Sequence, residues 1–271
     1  MQKPGGTANG HGGLPARGGT SEQWSRMTHP LAYRRVAAVL LMLLAAVPAQ
    51  ARQRHPASGS SGFDYFLLSL SIAPSFCALS PANQAKQECQ TLTEADFRQT
   101  PLTVHGLWPN RAGVSVNLQP HDCEGPALGP LPEATEAELR RYMPGGPGLA
   151  RYEWRKHGAC SGMSPESYFA AVAELAAKAN GVIGAAMREQ GMLGQRLRIA
   201  DLLAAVAARD PALAPAIVVD CRQPRGGGEA LVDEIRVVLS KDLRPMPAES
   251  VGLGQNSGCP RGAGLVPDAA R

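Results

Sequence analysis

Two short segments concentrate residues able to move protons. The first is His105-Gly106-Leu107-Trp108-Pro109. The second is Tyr152-Glu153-Trp154-Arg155-Lys156-His157-Gly158-Ala159-Cys160. On a helix, Glu153, Lys156 and His157 fall at i, i+3 and i+4 and project from one face. That face offers a carboxylate, an ammonium and an imidazole within a few ångströms of one another. Imidazoles titrate near neutral pH, so a second histidine brought up to the first would supply one acid and one base. Each histidine alone is weak evidence: a lone His beside Gly and Pro is usually structural, and a Lys-His pair on a helix is usually solvated surface. The pairing of two such segments changes the reading. Two of the three tryptophans, Trp108 and Trp154, sit inside them. Trp154 points away from the Glu153 face and reads as core. Trp108 could stack on a nucleobase or simply pack.

The elements that must position these residues follow from periodicity. Phe63 to Ile72 reads as a strand with Phe66, Leu68, Leu70 and Ile72 on one face, ended by Pro74. Leu102 to Leu107 reads as a second strand, which puts His105 near a strand end. Between them, 81–98 reads as loop and short helix. The Gly/Pro-rich stretch 110–130 has room for a short strand at Val114–Leu118. A helix is expected over 132–142, and Pro144-Gly145-Gly146-Pro147-Gly148 breaks the chain. A short helix from about Leu149 to His157 then carries the second segment, with Gly158 ending it. Ser164-Pro165 is a helix start, with Ser as N-cap and Pro in the first turn. Further helices are expected near 182–190 and 199–209, strands at Ile217–Val219 and Ile235–Leu239, and an irregular tail from Met246. No repeat or internal boundary is visible, so the reading is one α+β domain.

The first residues read differently. Residues 1–26 are rich in Gly, Ser and Thr. Tyr33-Arg34-Arg35, the apolar run Val36–Val47 and Ala49-Gln50-Ala51 then have the layout of a secretory signal peptide. Met27 is at a normal distance from that cleavage site and is the expected true start. Thus 1–51 is read as extension and signal, 52–62 as a flexible lead-in, and 63–271 as the working domain, exported to a periplasm or the medium. An uncleaved N-terminal membrane anchor is the competing reading. All six cysteines, Cys77, Cys89, Cys123, Cys160, Cys221 and Cys259, follow residue 51. No C-x-x-C pair exists, which argues against zinc and thioredoxin-like sites. In an oxidising compartment three disulfides are the default, with 15 pairings open by counting. The net charge is +4, but residues 1–51 hold five Lys/Arg and one Asp/Glu, leaving 22 of each sign. A nucleic-acid partner would therefore have to be held by a local site and not by a global basic field.

The segments HGLWP and EWRKHGAC resemble the two active-site signatures of the ribonuclease T2 family. Phe63-Asp64-Tyr65-Phe66-Leu67-Leu68-Ser69-Leu70-Ser71 with Pro74-Ser75-Phe76-Cys77 is similar to that family's opening strand, and Leu231-Val232-Asp233-Glu234-Ile235-Arg236 to a late one. The likeness runs from about Phe63 to the region of Cys259. It implies a single α+β domain with a central antiparallel sheet flanked by helices. It implies the disulfides Cys77–Cys89, Cys123–Cys160 and Cys221–Cys259; the middle one would also draw His105 toward His157. It implies an exported endoribonuclease that cuts single-stranded RNA through a 2′,3′-cyclic phosphate and needs no metal or other cofactor. The implied catalytic residues are His157 as base, His105 as acid, Lys156 and Glu153, with Trp108 and Tyr152 against the substrate. DNA, which lacks the 2′-hydroxyl, would not be cut. A monomer free of the membrane after signal cleavage is expected.

Two departures stand out. Tyr152 occupies a position where many members of that family have a histidine thought to help bind phosphate; a tyrosine donates a hydrogen bond but no charge. Ile72-Ala73 stands where an aromatic is common. His55 and His121 match neither signature and read as surface. The competing functions are a non-catalytic secreted RNA-binding protein that keeps the fold, a metal-dependent phosphodiesterase, and an inactive disulfide-stabilised domain. Against the metal reading, acidic residues do not cluster with the histidines as hard-cation sites require.

Overall fold

Strand β1 (Tyr65–Ser71) is central because both of its faces are usable. Phe66, Leu68 and Leu70, with Ile72 beyond them, enter the large core, as their alternation predicts. Tyr65 and Leu67 enter a smaller cluster on the opposite face with Val218, Val238, Ala248 and Val251. The computed structural model describes residues 62–269. The expected signal peptide, the lead-in up to residue 61 and His55 lie outside them.

β1 is flanked by β2 (Thr103–Asn110) and β5 (Leu231–Leu239), and β5 by β4 (Ile217–Arg222), all antiparallel. Three short strands, β3 (Arg196–Arg198), β6 (Asn256–Ser257) and β7 (Ala263–Leu265), complete the sheet. Two of their pairings, β4 with β6 and β5 with β7, are parallel, and they give structure to a tail expected to be irregular.

Two bulges aim the polar residues of the sheet. Ser69 faces Gly106 and Leu70 faces Val104, so His105 is an extra residue on β2. A bulge turns one side chain out of the alternation. It lets Val104 and Leu107, an odd number of positions apart, both enter the large core. Likewise Asp220 faces Glu234 and Cys221 faces Val232, leaving Asp233 as the extra residue on β5. Register puts Ser69, Ser71, Gly106, Trp108, Glu234, Arg236 and Asp220 on the same face as the small cluster. That face is thus apolar at one end and polar at the other.

The helices cover the large-core side. Short helices α1 (Ala73–Ala78), α2 (Pro81–Gln84), α3 (Gln87–Gln90) and α4 (Glu94–Gln99) follow β1. Next come α5 (Glu133–Tyr142) and α6 (Gly146–Lys156). Helix α7 (Pro165–Ala179) begins as its sequence predicts: Ser164 Oγ accepts from Ser167 N at 3.2 Å and Pro165 opens the first turn. Its Tyr168 hydroxyl donates to Leu107 O at 2.7 Å and ties it to β2.

No separate helix begins at 182. A π-turn over Asn180–Gly184 carries α7 straight into α8 (Ala185–Glu189). The turn opens at Asn180, whose side-chain amide bonds both backbone groups of Leu102 (3.1 and 2.8 Å) and the Ala176 carbonyl. The joined span Pro165–Glu189 is long and apolar enough to cross a membrane by length and composition, but its apolar face, with Tyr168, Phe169 and Val172, is buried in the core. Helix α9 (Ile199–Ala207) follows β3. The strand expected at Val114–Leu118 is instead a 3-10 turn over Val116–Leu118, with Val116 and Leu118 exposed; it lacks a strand partner to pair with. All three implied disulfides, Cys77–Cys89, Cys123–Cys160 and Cys221–Cys259, are formed.

Candidate active site

His105 and His157 meet at Trp108. The indole centroid lies 5.1 Å from the His105 ring and 5.3 Å from the His157 ring. Its N–H donates to Glu153 Oε2 at 2.8 Å. Trp108 is only partly buried, packed against the small cluster. Its N–H bond and the two imidazoles hold the ring, so positioning is its visible work. Gly106 makes this possible: a Cβ there would fall 2.2 Å from both the Trp108 nitrogen and the Glu153 oxygen. Its value is the missing side chain, since no positive φ is involved.

His105 is set by acids. Its Nδ1 is 2.7 Å from Glu234 Oε1, across the serines of β1, and its Nε2 is 3.8 Å from Glu153 Oε1. Glu234 is 3% exposed and also accepts from Arg236 Nε at 2.7 Å. Burial works against the Glu234 charge, but His105 and Arg236 outweigh it and hold the carboxyl at about 2. Burial likewise disfavours the charged His105, yet Glu234, then Glu153 and Asp233, raise its pKa above the ordinary value. Arg236 continues to Asp220 (3.3 Å), which accepts from Ser257 Oγ at 2.7 Å. Asp233 is pushed up to about 6 by burial and by Glu234, against the pull of Arg222 at 3.1 Å.

His157 has the opposite surroundings. It follows the last residue of α6 with φ −132° and ψ −45°, so it has left the helix, and its Nδ1 is buried without a partner. Burial first, then Lys156, His105 and His121, lower its pKa to about 4. The expected single face of Glu153, Lys156 and His157 is therefore split. Glu153 is 1% exposed, with its pKa raised chiefly by burial, and serves Trp108 and His105. Lys156 is not held by Glu153; its Nζ donates to Asp122 Oδ2 at 2.5 Å. Trp154 is core, its N–H bonded to Pro126 O.

Sequence reasoning missed the partners of Lys156. Asp122 also bonds His121 Nδ1 at 2.8 Å, and its backbone N–H donates to Lys156 O at 2.8 Å. His121, read as surface, is half exposed but close enough to His157 to repel its charge. Asp122 adopts a left-handed φ of 53°, a conformation that costs a non-glycine residue energy. The Cys123–Cys160 disulfide pins this loop beside His157. That cysteine, next to both residues, was the one signal that could have found them. Tyr152 is 47% exposed at the other side of Glu153, with the Arg155 guanidinium 5.9 Å from its ring centroid.

Contrary to the sequence expectation that acidic residues do not cluster with the histidines, Glu153, Asp233 and Glu234 gather around His105 in space. Among the described residues no group of His, Cys, Asp and Glu is arranged to hold a metal ion. A cavity of about 1030 Å³ opens beside His105, Tyr152 and Glu153, with Ser71, Thr103 and Asp233 also in its lining.

Comparisons with known proteins place the chain in a family. The model described as the ribonuclease T2 family matches residues 63–247. Ribonuclease I of Escherichia coli (strain K12) is 33% identical over 142 residues, covering 42% of this chain and 53% of that protein. A ribonuclease of Aeromonas hydrophila is 34% identical over 149 residues, covering 54% and 59%. The chain thus spans about half the length of the curated relatives it matches. Among solved structures, RNase NT in complex with 5′-AMP superposes with a TM-score of 0.55 at 17% identity, over 76% of this chain and 98% of that one. RNase MC1 from the seeds of bitter gourd gives 0.51 at 20%, over 66% and 90%. At those identities the likeness is one of fold.

Proposed function

The chain belongs to the ribonuclease T2 family, and on that premise we propose that it is an exported endoribonuclease acting on single-stranded RNA. The observation that carries the reading is the pair of imidazoles on one indole, with opposite electrostatic surroundings.

RNA brings its own nucleophile, the 2′-hydroxyl. His157, whose lowered pKa keeps it neutral, takes the 2′-proton. The 2′-oxygen bonds to phosphorus and the bond from phosphorus to the 5′-oxygen breaks. His105, whose charged form Glu234 favours, gives its proton to the leaving 5′-oxygen. The product is a 2′,3′-cyclic phosphate. In the second half the roles reverse, and water opens the ring to a 3′-phosphate. Two environments that push like groups apart in pKa are the usual sign of an acid and base pair.

Lys156 faces the phosphoryl charge from the His157 side, sharing its ammonium between Asp122 and the substrate. Glu153 is a positioning residue that holds Trp108 and supports His105. The proton transfers need no metal, DNA offers no 2′-hydroxyl to activate, and a single chain supplies every group named. The disulfides support export to a periplasm or the medium.

Digestion of homopolymer RNAs in chelator, with identification of the product ends, tests the reading. Cyclic phosphate maturing to 3′-phosphate is expected. Loss of activity in chelator, or 5′-phosphate ends, overturns the mechanism. Tight RNA binding without turnover would favour the non-catalytic reading instead.

A further inference from the structure

The cavity beside His105 has cations to spare. Lys86, Arg140, Arg141, Arg222 and Arg225 line it together with Glu88, Asp96, Glu153, Asp233 and Glu234. The acids near His105 are already engaged. Glu234 bonds His105 and Arg236, Asp233 pairs with Arg222, and Glu153 bonds Trp108. Asp96 bonds Thr93, and Arg140 pairs with Glu136. Among the described residues, Lys86, Arg141 and Arg225 are the lining cations with no carboxylate partner, against Glu88 and Asp96 as the lining acids with no cation partner. Arg141 and Arg225 are both exposed. Arg141 has its guanidinium 5.5 Å from the Tyr142 ring centroid, and the Arg225 backbone is anchored by its N–H to Leu79 O at 3.0 Å.

We propose that this cavity is a track for the RNA strand on the leaving-group side of the cut, with Arg141 and Arg225 contacting backbone phosphates beyond the scissile one. The inference rests on the ribonuclease reading and deepens it. Three observations carry it. The cavity is lined by His105 but not by His157 or Lys156. The group that protonates the 5′-oxygen therefore faces it, and the nucleotides on that oxygen lie to the 3′ side. The cavity's volume, about 1030 Å³, is at or beyond the upper end of small-molecule sites, roughly 300–1,000 Å³, which suits more than one nucleotide. Finally, the domain after residue 51 is balanced in Lys/Arg and Asp/Glu. A polyanion must then be held by unpaired cations placed locally, and Arg141 and Arg225 meet that need.

Oligonucleotides with a single ribonucleotide offer one cleavable bond and can be extended on either side with 2′-deoxynucleotides. For the wild type, a four-nucleotide 3′ extension should raise kcat/KM about tenfold over the dinucleotide, and a 5′ extension should not. In R141A/R225A the 3′ gain should vanish while dinucleotide cleavage is kept, and R141K/R225K should restore most of it. The slope of log kcat/KM against log salt should become shallower by about 1.4 for two lost single-strand phosphate contacts. An equal 3′ gain in R141A/R225A, or a gain confined to 5′ extension, overturns the track. Should the wild type cut none of these substrates, the ribonuclease reading falls. Binding of an all-2′-deoxy oligomer then decides the track alone: weaker and less salt-dependent binding by R141A/R225A supports it, and equal binding overturns it.

Discussion

The seats of the two histidines differ in almost every respect. His105 stands on a bulge in a sheet, its ring fixed by a buried carboxylate that an arginine network holds in turn. His157 stands past the end of a helix, one ring nitrogen unpartnered, with cations around it. The same imidazole is thus tuned upward at one seat and down to about 4 at the other. One residue type acquires two opposite proton affinities from its surroundings, and identity alone would not separate them.

The most severe way to break the comparison is to remove either ring. His105→Ala and His157→Ala should each lower kcat/KM on RNA by roughly 10²–10⁴-fold, with unchanged circular dichroism and melting. Substantial activity in either variant would sink the acid and base assignment.

Glu234→Gln equalises the two seats. With the carboxylate gone, burial is left to dominate and His105 loses its proton at lower pH. The alkaline limb of kcat/KM against pH should move down by roughly 1–3 units, while the acidic limb, set by His157, stays near 4. The same substitution has a stability signature. Glu234 is depressed in the folded state from 4.5 to about 2. Its contribution is therefore full above about 4.5 and is lost as pH falls toward 2. The wild type should lose more stability than the variant across that window, as read by denaturant melts. An unmoved alkaline limb would remove Glu234 from the positioning of His105.

Gly106→Ala attacks the ring that both seats share. The new Cβ would collide with the Trp108–Glu153 bond, costing about 1–3 kcal/mol of overpacking along with activity, measured by chemical denaturation and initial rates. Full stability would mean that the indole has room to move. The smallest effect is expected at Tyr152, which is half exposed. Tyr152→His should lower KM by no more than about tenfold, most at acidic pH where the added ring is charged. An unchanged KM would make Tyr152 structural.

Much of the architecture is legible in the sequence because it rests on local signals. The alternation of Phe66, Leu68, Leu70 and Ile72, the Ser164-Pro165 start and the helix over 132–142 are examples, and the structure reproduces each. What escaped depends on register and on distant partners. The bulge that aims His105 is a mismatch between two strands and has no local mark. Asn180, at the start of the π-turn, bonds Leu102 across 78 positions. The acids around His105 lie 48 and 129 positions away from it along the chain. Asp122 could be paired with Lys156 only once the Cys123–Cys160 link was known.

The Trp108 ring also makes the molecule self-reporting. Trp154 is sealed in the core, whereas the Trp108 indole borders both imidazoles. Protonated imidazole quenches indole emission, so the brightness of Trp108 should follow the charge on its neighbours. Proton uptake or the arrival of a guest then becomes visible as light, without any attached label.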